Sequence, residues 1–179
     1  MRAAVVAASA TLAVSSCVPG NAPQPSVSPQ DSLVDLGREI AICASVGGSR
    51  PTSTEKANRH FVYEHGIQLD GTTAARIRTV TFAIAQGLEV VSVRLLADPP
   101  PTSIGWVPYE SRGPLWDKTV PAQGAELPPG HSFLEFEVKY LGPGEGKLSG
   151  VTVSYAIDGA DSSATSESSL TLATSEDGC

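Results

Sequence analysis

The sequence predicts an all-β domain: an antiparallel, immunoglobulin-like β-sandwich of about seven strands. Three observations carry that expectation. Apolar and polar residues alternate with period two in segment after segment, as they must when successive side chains of a strand point to opposite faces. The segments are punctuated by turn residues, with 17 Gly and 14 Pro in 179 residues, residue types that interrupt helices and supply turn geometry. No stretch shows sustained helical periodicity. Hydrophobic residues make up 41% of the chain and charged residues 17%, enough apolar material for a core and too little charge for a disordered chain.

The clearest pattern runs from Ser132 to Ile157. Leu134, Phe136, Val138 and Tyr140 alternate with Phe133, Glu135, Glu137 and Lys139. The turn-like segment Gly142-Pro143-Gly144-Glu145-Gly146 follows, and then Val151, Val153, Tyr155 and Ile157 alternate with small and polar residues. This reads as an antiparallel hairpin with one buried face and one wet face, the wet face carrying Glu135, Glu137 and Lys139.

Taken in order, the folded domain begins near Leu33. A first strand over 40–46 carries Ile40, Ile42, Ala44 and Val46 on one side and ends at Gly47-Gly48. Residues 49–58 are polar and turn-like, with one helical turn expected over 53–57. A short strand over 60–64 places Phe61 and Tyr63 together, and Asp70-Gly71 marks a turn. Residues 76–85 form a strand with Val80, Phe82 and Ile84 on one face. Gln86-Gly87 leads into a strand over 88–97, so these two are expected to pair as a second hairpin. The adjacent Val90-Val91 within it signals a bulge. The Ser-rich stretch 159–169 reads as a solvated loop, and a last strand follows over 168–174 with Leu170 and Leu172 on one face.

Residues 98–130 break the pattern. They hold eight of the 14 prolines and both tryptophans, Trp106 and Trp116, with Tyr109 nearby. Connections this long are often functional. Aromatics in a proline-stiffened loop make good binding anchors, so Trp106, Tyr109 and Trp116 are the candidate ligand-binding residues. The alternative is that the tryptophans fold back to cap the sandwich.

The chain opens with Met1-Arg2, then an apolar run from Ala3 to Val14 too short to span a bilayer, ending in Val14-Ser15-Ser16-Cys17. An aliphatic residue, two small residues and a cysteine behind an apolar run resembles the lipobox of bacterial lipoprotein signal peptides. The resemblance implies that residues 1–16 are removed as a signal peptide and that Cys17 becomes a diacylated N-terminus. Two acyl chains suffice for stable anchoring. It further implies a cell-membrane location on the extracytoplasmic face. Residues 17–32, uncharged to Gln30 and carrying four prolines, form a disordered, extended tether, and 33–179 the sandwich. With Cys17 lipidated, Cys43 and Cys179 remain as an even pair in an oxidising compartment, which favours a disulfide between them over a buried free thiol at Cys43.

The search for chemistry finds no nucleophile elbow, zinc-protease helix, C-x-x-C pair or phosphate loop, so no catalytic residue, metal or cofactor is expected. His60, Glu64 and His65 form a weak alternative metal set whose spacing matches no ligand motif. Asp158, Asp161 and Glu167 fail the calcium-loop pattern. A net charge of −7 repels nucleic acid. The sequence therefore points to a lipid-anchored envelope protein whose sandwich is a non-catalytic binding module for a protein or envelope ligand. The alternative is a carrier of a small ligand or metal.

Overall fold

The computed structural model describes residues 33–37, 39–45, 60–99, 106–109, 112–142 and 144–173. The expected signal peptide over 1–16, the lipidation site Cys17, the tether over 17–32, the turn-like segment over 49–58 and Cys179 lie outside the described residues.

Period-two alternation produces strands wherever it was read. Seven have five or more residues: β2 (Ala41–Ser45), β3 (His60–Leu69), β4 (Ala75–Gln86), β5 (Leu88–Ala97), β9 (Gly130–Tyr140), β10 (Gly146–Ile157) and β11 (Ala160–Ala173). Four are short: β1 (Val34–Asp35), β6 (Trp106–Pro108), β7 (Val120–Pro121) and β8 (Glu126–Leu127). They form two sheets stacked as a sandwich. The first runs β1-β3-β9-β5-β7, with β6 also on β3, and the second runs β2-β11-β10-β4-β8. All pairings are antiparallel except β2 with β11, which is parallel.

Neither expected hairpin forms. β9 lies inside the first sheet between β3 and β5, whereas β10 lies inside the second between β11 and β4. β4 and β5 are split in the same way. Both connections are corners that carry the chain from one sheet to the other. The corners also abut: Leu141 N donates to Gly87 O at 3.0 Å, and Gly87 has φ +64°. A Cβ on Gly87 would sit 2.6 Å from Glu145 O, so the close approach of the two corners demands glycine. The real hairpin joins β10 to β11 through Asp158-Gly159, with φ +50° and +84°. Asp-Gly with both residues at positive φ is the turn that matches strand twist.

The stretch expected as a solvated loop, 159–169, is most of β11. Its alternation is carried by small hydroxyl residues, which is why it reads as loop. Ser166 and Ser168 are buried and bond each other at 2.9 Å, and Ser168 Oγ accepts Ile40 N at 3.1 Å. The bulge expected at Val90-Val91 is present, as a register shift between Val90 and Ser92 opposite β9.

The core fills the space between the sheets. Phe61, Tyr63, Ile67, Leu134, Phe136, Val138 and Leu95 from the first sheet meet Ile77, Leu148, Val151, Val153, Tyr155, Leu170 and Leu172 from the second. Phe136, fully buried, packs against Tyr63 at 5.6 Å and edge-on to Phe82 at 5.1 Å between ring centroids.

Candidate functional site

The outer face of the first sheet was expected to be wet; Lys139 keeps partial exposure, but the middle of the face is buried. Phe133, Glu135 and Glu137 are 6%, 3% and 9% exposed. Alternation reports which residues share a face. It does not report what lies over that face. Here the cover comes from the proline-rich segment. β6 pairs with the outer edge of β3, Trp106 opposite Tyr63. The chain then crosses to the far side, where β7 pairs with β5 at Arg94 and Leu95. It forms a strap across three strands, and a second buried layer beneath it includes Val62, Leu96, Phe133 and Trp116, outside the main core cluster.

The register sets what the strap covers. Glu64, Glu135 and Arg94 lie side by side on β3, β9 and β5, and Val62, Glu137 and Ser92 form the adjacent row. Glu137 is held on both oxygens: it lies 2.8 Å from His60 Nδ1 and accepts from Ser92 Oγ at 2.9 Å. Arg94 fastens the strap. Its Nε donates to Thr119 Oγ1 and a terminal nitrogen donates to Thr119 O at 2.7 Å. Thr119 Oγ1 in turn donates to Trp116 O at 2.7 Å. The Arg94 guanidinium sits over the Trp116 ring, 5.5 Å from its centroid. Tyr109 wedges edge-on between Trp116 at 5.7 Å and His60 at 5.8 Å. The Arg112 guanidinium covers the Tyr109 ring at 3.7 Å, a cation–π contact on the outer side.

The Glu135 carboxyl is pushed strongly upward, to about 7. Burial is the main cause and the charge of Glu64 adds to it, while Arg94 opposes both. Two carboxylates directly opposite in a desolvated place disfavour double ionisation. Near neutral pH, Glu135 therefore exchanges a proton.

The structure brings together residues from two sets that the sequence singled out apart: His60 and Glu64 from one, Tyr109 and Trp116 from the other. Trp116 is buried and Tyr109 half-buried, so Trp116 seats the strap and is not an exposed anchor. Trp106 joins the strap through the backbone of β6. His65 is not with His60 and Glu64. Five positions beyond His60, it points to the opposite face and lies in the core at 1% exposure. Its Nδ1 is 3.5 Å from Tyr63 OH, its Nε2 has no hydrogen-bond partner among the described residues, and burial lowers its pKa to about 4. The weak metal set is thus divided by the sheet. Cys43 is exposed on β2 opposite Thr171. Its expected partner, Cys179, lies outside the described residues.

Sequence reasoning missed Glu135, Glu137, Ser92, Arg94 and Thr119 as members of a site. A signal was present: Ser92 and Arg94 occupy alternate positions of β5, as Glu135 and Glu137 do on β9, and Phe133 sits among residues read as wet. A long proline-rich segment with three aromatics needs a seat, and these were the polar residues able to hold one.

No known protein family matches the chain, and no curated protein matches it. Among solved structures, the Vibrio cholerae VesB protease aligns with 14% identity and a TM-score of 0.37, over 76% of this chain and 31% of that one. The chain thus spans about a third of that protein's length, and a likeness this loose sets neither family nor activity.

Proposed function

We propose that this chain is a lipid-anchored, extracytoplasmic envelope protein whose β-sandwich is a non-catalytic binding module presenting the strap as its contact surface. The observation that carries this reading is how the strap is mounted. Its inner groups are committed to the sheet through Arg94, Thr119, Trp116 and Tyr109. Its outer turn leaves Gly113, Pro114, Asp117 and Lys118 exposed beside the half-buried Arg112. A rigid loop held on a rigid sheet loses little entropy when it binds. The polar groups beneath it bond one another, which favours a holding role for them over a reacting one. The contact surface is therefore the turn from Arg112 to Lys118, with Tyr109 and Trp116 seating it from below. The carrier alternative draws less support, because His65 stands on the other side of the sheet. The anchor at Cys17 rests on the lipobox resemblance, and the bridge from Cys43 to Cys179 on the even pair of cysteines left once Cys17 is lipidated.

A photoreactive residue in place of Pro114, activated on intact cells, should capture a defined envelope component. The triple substitution of Arg112, Asp117 and Lys118 by alanine should abolish capture with an unchanged circular dichroism spectrum. Capture no greater than from the same probe at Asp161, far from the strap, would overturn the binding surface. Mass measurement of the mature chain tests the anchor independently. The reading requires a chain that starts at Cys17 and carries acyl mass.

A further inference from the structure

The edge of the second sheet is open along β4. β8 pairs with β4 only at Ala75 and Arg76, and Ile77 completes the contact through Ala125 and Gly124. From Thr79 to Gln86, the described residues place no strand on that side. Natural sheets guard such an edge with charge, proline, a bulge or a covering loop, because its unpaired N–H and C=O groups template another chain. This segment, Thr79-Val80-Thr81-Phe82-Ala83-Ile84-Ala85-Gln86, has no charge, proline or glycine. The extra residue Arg78, which interrupts the register with β10, ends where the open segment begins. The segment is also short of cover on its inner face: Val80 and Phe82 are half-buried and Ile84 is 42% exposed. At the neighbouring edge of the first sheet Val91 is 45% exposed, so an apolar flank runs beside the open strand.

We propose that β4 pairs antiparallel with β4 of a second copy of this chain about a two-fold axis, joining the two second sheets into one. Charge and register together select this occupant. A chain of net charge −7 repels its own copies over most of its surface, and the Thr79–Gln86 edge is a stretch where two copies meet without opposing carboxylates. The segment is also self-complementary. With Phe82 on the axis, Val80 faces Ile84 of the partner subunit, Thr81 faces Ala83 of the partner subunit, and Thr79 faces Ala85 of the partner subunit. Apolar residues meet apolar residues on the inner side and small residues meet on the outer side. Such an interface is isologous, and it closes after two copies. A two-fold perpendicular to the sheet keeps both inner faces on one side. Val80, Phe82 and Ile84 of each copy then cover the same residues of the other, supplying what the first sheet leaves undone. Main-chain pairing gives the affinity, as in strand addition generally.

The test is the mass of the full chain by sedimentation equilibrium in density-matched detergent, across a concentration series, with hydrogen exchange on the 79–86 amides. The expected result is a two-chain mass with the open-edge amides protected. Ile84→Lys, at a tolerant half-exposed position, should give a one-chain mass and fast exchange with the circular dichroism spectrum unchanged. The second variant, Thr81→Lys with Ala83→Lys, sets lysines directly opposite one another across the seam and should behave in the same way, even if Ile84→Lys fails to fold. A one-chain mass for the native sequence throughout the series overturns the proposal. So does a two-chain mass retained by either folded lysine variant.

Discussion

At the middle of β9 both faces of the first sheet are buried, and they are built from different chemistry. On the inner face Leu134, Phe136, Val138 and Tyr140 are 0–1% exposed and meet other apolar side chains. On the outer face Glu135 and Glu137, one residue out of step on the same strand, are 3% and 9% exposed and meet an arginine, a histidine, a serine and a strap. Apolar contacts are non-directional and cooperate across the whole core. The ledge depends on a few directional bonds, and a donor removed there leaves a buried acceptor unpaired. The difference teaches that burial does not reveal which forces act. The inner face holds the sandwich together, and the outer face holds one segment down. The strap is therefore the part expected to open at lower free energy than the whole.

The sharpest way to break that comparison is to empty each side in turn. Phe136→Ala removes a fully buried ring in contact with Tyr63 and Phe82 and should cost about 3–5 kcal/mol. Unfolding in urea should remain a single transition, with every region lost together. Trp116→Ala should cost less, about 3 kcal/mol at the low end for such a truncation, because the loss is confined to the strap. Hydrogen exchange should show faster amides at 106–121 while those of β9 and β10 keep their protection. Equal loss of protection in both places would erase the distinction between the faces.

Titration sharpens the comparison, because the two faces respond to pH in opposite senses. Glu135 has its folded pKa raised from 4.5 to about 7. Between those values the native state holds a proton that the unfolded state has released, so stability falls as pH rises and the loss is complete above about 7. The size is on the order of 1–3 kcal/mol. Glu135→Gln should remove that decline and stabilise the protein most at alkaline pH. His65 has its folded pKa lowered from 6.5 to about 4. Between those values the unfolded state holds the extra proton, so stability falls as pH drops from 6.5 towards 4. His65→Leu should flatten that acid limb. Urea midpoints of the native sequence and both variants, taken across this range, would show two independent limbs, and a single limb removed by either substitution would contradict the assignment. The smallest effect is at Ser92→Ala, which takes one donor from Glu137 and should cost about 1 kcal/mol, read as a shift in the same midpoint.

Much of this molecule is legible in its sequence. Leu134, Phe136, Val138 and Tyr140 announce an inner face because they recur every second residue, and so do Val151, Val153 and Tyr155. The bulge at Val90-Val91 was legible because two adjacent apolar residues cannot both face inward in a regular strand. The candidate site was legible only in fragments. His60, Glu64, Tyr109 and Trp116 each stood out, but nothing local says that Tyr109 reaches His60 or that Arg94 reaches Thr119. β11 was half-hidden because serine at positions 166 and 168 carries the alternation that leucine carries at 170 and 172.

What the residues decide alone is where strands run and where they turn, because the period of two and the φ preferences of glycine and proline act within a few neighbouring positions. Only the tertiary structure decided which strands pair. Whether Gly87 and the 141–145 connection close hairpins or carry the chain between sheets depends on where the other strands lie, and both choices satisfy the same alternation. Only the tertiary structure turned the polar side of β9 into an interior, because that requires a segment distant in sequence to cross over it and shut out water.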